Sequence, residues 1–169
     1  KKTNSPRVGV DHRNGQDVTP EMFQQAFGFR GVQFGNWVEQ GKRQQDLNEA
    51  YDALMDLAGI LGLPSRAMSL NGELGLAFGA RGKGKQGKVT PKAHYEADHV
   101  VINLTKKDGA GSLAHEWWHA LDNYFTRARG EDSDRSYATE GGAHSSVRPE
   151  LVEAFAEIRR AINKTRIIQ

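Results

Sequence analysis

Apolar and polar positions alternate along this chain at spacings that separate helix from strand. Thr19-Pro20-Glu21 places a capping hydroxyl before a proline suited to a first helical position, which predicts a helix running to about Phe27. Gly31-Val32-Gln33-Phe34-Gly35 reads as a short strand or turn. Leu47, Tyr51, Leu54, Leu57, Ala58 and Leu61 form an apolar stripe at helical spacing, and Gly62 with Pro64 ends that core helix. Leu70, Leu74, Leu76 and Phe78 suit a strand within Met68 to Phe78, with Val100 to Leu104 returning from the loop beyond it. Asp108-Gly109-Ala110-Gly111-Ser112 is a turn able to cap a helix at Ser112. In that helix Leu113, Trp117, Ala120, Leu121 and Tyr124 recur on one side. A last helix is expected from Pro149 to about Asn163, with Leu151, Phe155, Ile158 and Ile162 on its apolar side.

This succession predicts an α+β fold, a small mixed sheet covered by helices. Residues 1–18 are polar and are expected to form a loosely packed N-terminal arm, with residues 19–169 as a single domain. There is no internal repeat. The 169 residues suffice for a full core without a disulfide staple, and the chain has no cysteine. That excludes a cysteine protease and any zinc site with thiolate ligands, and it fits a reducing compartment. No apolar run approaches membrane-spanning length and no apolar leader stands near the start, so a soluble, cytoplasmic protein is expected. The first residue is Lys1 rather than methionine, which suits a piece of a larger protein.

The chemistry concentrates in His115-Glu116-Trp117-Trp118-His119. On a helix, histidines four apart stand one turn apart on the same side, so both imidazoles reach one metal ion, with Glu116 beside them. Zinc takes neutral imidazole ligands and, at a catalytic site, keeps one position for water. The metal lowers the pKa of that water towards neutrality, and an adjacent glutamate takes its proton. A strand leading into the helix that carries both histidines is the context this chemistry needs, and His115, His119 and Asp122 share one stripe of it.

Several runs resemble a known family. Phe78-Gly79-Ala80-Arg81-Gly82-Lys83-Gly84, Ala93-His94-Tyr95-Glu96, Val101-Ile102-Asn103-Leu104-Thr105 and the stretch from Gly109 to Tyr124 resemble the zincin-like metallopeptidase domain of large polyvalent proteins. These are multidomain proteins of phages and conjugative elements. The resemblance covers roughly residues 25 to 128 and is sharpest from Phe78 to Tyr124. His119-Ala120-Leu121-Asp122-Asn123-Tyr124 is also similar to the helix of lethal-factor-type toxin metallopeptidases. The resemblance implies a zincin-like fold and zinc-dependent hydrolysis of peptide bonds. It also implies a third zinc ligand of the gluzincin kind, a glutamate on a later helix within Glu-x-x-Ala-x-x-Phe.

Glu153, in Glu153-Ala154-Phe155-Ala156, best fits the spacing of glutamate and alanine in that pattern. Glu150 and Glu157 share its helix, and the family's glutamate can also lie beyond this chain. Asp122 lies about 4.5 Å of helical rise beyond His119 on a short side chain, which suits it better to orienting a histidine or holding a loop. His144, in a Gly- and Ser-rich segment, is a further rival. In zincins, the resemblance implies, an edge strand pairs with an extended peptide substrate. Here His99 to Leu104 takes that place, with His94, Tyr95 and His99 as candidate donors to the oxyanion. The expected reaction has zinc held by His115, His119 and Glu153, with Glu116 activating the zinc-bound water and returning the proton to the leaving amine.

The net charge of +2 alone does not argue for nucleic acid. Yet Arg81-Gly82-Lys83-Gly84-Lys85-Gln86-Gly87-Lys88 carries four positive charges in eight residues. As a nucleotide-binding loop it fails, because Val89 stands where the magnesium-binding hydroxyl belongs and Thr90-Pro91 opposes an immediate helix. The alternative function is therefore a non-catalytic or incomplete zincin-like module, contacting a host protein or nucleic acid through residues 81–88.

Overall fold

The computed structural model describes residues 7–35, 40–80, 93–104, 112–127, 137–139 and 148–168. The basic loop 81–88, the turn 108–111 and His144 lie outside the described residues. Contacts divide the chain into two compact units, residues 1–120 and 121–169.

In the first unit, α1 (Pro20–Phe27) begins as its residues dictate, with the Thr19 side chain accepting a hydrogen bond from the Met22 amide. It ends at Gly28, whose φ of 71° is the left-handed conformation a helix terminus favours in glycine; its amide donates to the Gln24 carbonyl. A Cβ at this position would meet the Arg66 guanidinium at 2.8 Å. Phe23, Phe27 and Phe29 form an aromatic nucleus closed by Tyr51 of α2 (Gln40–Leu61), with Phe23 and Phe27 edge to face at 5.0 Å. Leu47, Ala50, Leu54, Leu57 and Ala58 complete the buried stripe of α2. A short 3₁₀ turn (Ser65–Ser69) comes next.

Among the described residues, four short strands make one mixed sheet: β1 (Val32–Phe34), β2 (Gly75–Phe78), β3 (Ala93–Glu96) and β4 (Val101–Leu104). Their order is β1-β2-β4-β3, with β1, β2 and β4 parallel and β3 antiparallel to β4. Parallel β2 and β4 are buried along their whole length, as strands covered on both faces are. Phe34 and Phe78 stack at 4.9 Å across the β1–β2 pair.

Three expectations change. Only Gly75–Phe78 of the Met68–Phe78 stretch is strand, because Ser65–Ser69 turns and Leu70 and Asn71 take positive φ. β4 does not return antiparallel to β2, since β3 makes the reversal and β4 then runs parallel to β2 between it and β3. The arm also has defined polar contacts over residues 7–18, where side chains and backbone bond to α2.

α3 (Leu113–Arg127) begins in the first unit and finishes in the second. In the second unit, α4 (Pro149–Ile168) extends beyond the expected Asn163, and Phe155 meets Phe125 edge to face at 6.0 Å. Asp122 anchors the short segment 137–139 there. Among the described residues, no helix is long and apolar enough to cross a membrane.

Candidate metal centre

α3 owes its orientation to one face. Leu113, Trp117 and Ala120 stand at i, i+4 and i+7 and are all buried. Trp117 is fully enclosed, and its indole N–H donates to the Met68 carbonyl of the 3₁₀ turn at 2.8 Å, so its one polar atom is satisfied inside the core. That anchor sets the rotation of the helix and leaves His115 and His119 in solvent on the adjoining stripe.

The two imidazoles converge. His115 Nε2 and His119 Nε2 lie 3.1 Å apart, with ring centroids at 4.7 Å and planes at 82°. Two nitrogens each about 2.0–2.1 Å from one tetrahedral zinc ion stand roughly 3.3 Å apart. The pair therefore fits two corners of a single coordination shell without a change of backbone. Glu116 lies between this stripe and the buried face and is 9% exposed. Trp118 is 43% exposed and turns outward.

Of the rivals for a third ligand, Asp122 is occupied. Its carboxylate accepts the Thr139 amide at 2.9 Å and the Thr139 hydroxyl in a short hydrogen bond, while its backbone carbonyl accepts the Ala138 amide. This is the loop-holding role its spacing suggested. Glu153 is exposed on α4 and accepts from Arg160 at 2.6 Å; Glu150 and Glu157 are exposed as well. Among the described residues, no group of three or more His, Asp or Glu side chains gathers to hold a metal ion.

The edge-strand expectation moves by one strand. β4 is paired on both sides, by β2 and β3, so its backbone offers no template, and among the described residues the edge beside it is β3. His94 and Glu96 sit two apart on β3 and therefore on one face, and they pair at 2.9 Å between His94 Nε2 and a Glu96 oxygen. Motif spacing on helices does not reveal this pair; its i, i+2 spacing on a strand is the signal that could have found it. His99 belongs to the turn after β3, and its carbonyl accepts from Arg30 at 2.8 Å.

The family model of Large polyvalent protein-associated domain 5 matches residues 1–26 of the chain. The match places the N-terminal segment in a polyvalent-protein context, and it lies almost wholly ahead of the residues that carry the metallopeptidase resemblance. No curated protein and no solved structure matches the chain.

Proposed function

We propose that the chain is a zincin-like, zinc-dependent metallopeptidase domain carried by a large polyvalent protein. The observation that carries this reading is the 3.1 Å convergence of His115 Nε2 and His119 Nε2 on a helix that holds Glu116 next to them. His115, His119 and Glu153 are the proposed ligands. Glu153 and Arg160 are 66% and 60% exposed, and an exposed pair of this kind contributes about 1 kcal/mol or less, so giving it up costs little.

A bound zinc ion supplies Lewis acidity and makes water a nucleophile near neutral pH. Glu116 accepts the proton of the attacking water and delivers it to the leaving amine. Its burial against the core side of α3 restricts the carboxylate to a few rotamers, which suits a base that acts twice in one cycle. The cytoplasm of a cell that carries or receives the mobile element is the proposed location, and a peptide or protein is the proposed substrate.

The test measures zinc content of the purified chain beside His115→Ala and Glu153→Ala, and peptide hydrolysis beside Glu116→Gln. Zinc bound stoichiometrically, lost in the first two variants and kept in Glu116→Gln, is the expected result. Absence of metal after zinc is supplied to a folded chain would sink the proposal.

One observation favours the binding-module reading instead, namely that Glu153 is already paired with Arg160. That reading expects zinc to be unaffected by Glu153→Ala and no hydrolysis in any form of the chain. It also expects salt-sensitive nucleic-acid binding that weakens on changing Lys83, Lys85 and Lys88.

A further inference from the structure

Residues 7–17 contain no buried side chain, and Val8 and Val10 are 94% and 85% exposed. Apolar burial therefore does not hold this segment in place. A polar stripe on α2 does. Gln44, Asn48, Asp52 and Asp56 are each four residues apart, which lines them up along one side of the helix.

Each of the four meets the N-terminal segment or its junction with α1. Gln44 donates to the Val18 carbonyl at 2.9 Å, and Asn48 accepts the Val18 amide at 2.8 Å and donates to Asp17 at 2.9 Å. Asp52 accepts the His12 amide at 2.8 Å and the Arg13 Nε at 3.0 Å. Asp56 accepts two hydrogen bonds from Arg7, at 2.6 and 2.8 Å, and pairs with His12 Nε2 at 2.7 Å. The segment is preshaped for this by its own bonds. Arg7 donates forward to the Val10 carbonyl, and Asp11 accepts the amides of Arg13 and Gly15.

We infer that residues 7–17 are a releasable strap, a polar segment whose Arg7 and Arg13 dock on Asp56 and Asp52 of a polar stripe of α2, held by charge and hydrogen bonds and separable from the fold. The next residues along the chain are held differently. Val18 is buried and Phe23 of α1 is fully enclosed, so the strap ends where apolar anchoring begins. Its release bares Asp52 and Asp56 while the aromatic nucleus stays closed. The segment matched by the polyvalent family model thus has a fixed part in α1 and a detachable part ahead of it. The Arg7 guanidinium and, after it, His12 hold the Asp56 carboxyl down to about 2 against the opposing effect of burial, so the carboxylate is charged across the physiological range. The Arg7–Asp56 pair, with side chains 29% and 36% exposed, is the one most open to screening by salt, because the Debye length falls from about 10 Å at 0.1 M to about 3 Å at 1 M, whereas Arg13–Asp52 is more enclosed.

The experiment is amide hydrogen exchange on the full chain in about 0.1 M and about 1 M sodium chloride, with Arg7→Gln in the lower salt as a second arm. High salt is expected to speed exchange across residues 7–17 by about tenfold or more, with β2, β4 and α3 unchanged. Arg7→Gln, a change at a partly exposed side chain, is expected to do the same without added salt. Exchange of the strap that does not respond to salt or to Arg7→Gln overturns the inference. So does acceleration of the core to the same extent, since the segment would then be part of the cooperative fold.

Discussion

The two sides of α3 carry opposite kinds of residue and do opposite work. On one, Leu113, Trp117 and Ala120 are sealed in the core, and even the polar atom of the indole is spent on the Met68 carbonyl. On the other, His115 and His119 are exposed and turn their Nε2 atoms towards each other. The buried face holds the helix still, and on the solvent side two nitrogens stand 3.1 Å apart. Glu116 lies on the boundary and belongs to both sides.

The most severe way to test that division is Glu116→Gln, which keeps shape and removes the proposed base. Hydrolysis of a peptide substrate is expected to fall about 10²- to 10⁴-fold, with zinc content and the melting temperature unchanged. Should the variant unfold instead, Glu116 belongs with the core and the division fails. Trp117→Ala comes next. It leaves a large cavity and an unpaired Met68 carbonyl, and chemical denaturation is expected to show a loss of about 3–5 kcal/mol. Asp122→Ala sharpens the border at the far end of the helix. Loss of the two Thr139 bonds is expected to cost about 1–3 kcal/mol and to speed amide exchange at residues 137–139, with zinc affinity kept. A 10- to 100-fold loss of zinc affinity, of the size roughly expected when a group supporting a metal ligand is removed, would move Asp122 to the chemical side. The smallest effect on stability is expected from His119→Ala, within about 0.5 kcal/mol for the metal-free chain because the side chain is exposed. Zinc titration followed by calorimetry should show that binding is lost in that variant.

How much of the fold and the site is legible in the sequence depends on how local each feature is. The Thr19 cap, Pro20 and Gly28 specify α1 within a few residues of one another, and the helix stands where they place it. The histidine pair is equally legible, because i, i+4 spacing on a helix is a local fact. β3 is not, since four residues are too few to display alternation, and its strand identity comes from pairing with β4. The 3₁₀ turn is hidden for a related reason: Met68 and Leu70 are buried, as strand residues would be, but positive φ at Leu70 bends the chain. A third ligand brought from another element is a tertiary fact that no spacing within α3 encodes. The His94–Glu96 pair is within reach, since i, i+2 on a strand is local, but recognising it requires knowing that the strand exists.

The position of β4 has a consequence for how the chain reaches this state. β3 and β4 are joined by the four-residue turn 97–100, so that hairpin closes over a short loop, on the timescale of about 1–10 μs usual for such units. Its turn forces Val100, a β-branched residue, to a φ of 52°, which makes early closure less favourable than a glycine there would. Pairing of Gly75 with Val101 spans a much longer stretch of chain and must wait for a slower encounter. On this order β4, one of the two inner strands, reaches the sheet already paired with β3, and β2 presents an open parallel edge until the hairpin docks. A nascent chain that stalls before Leu104 would expose that edge, along with the apolar side chains of Leu76 and Phe78, to whatever strand is nearest.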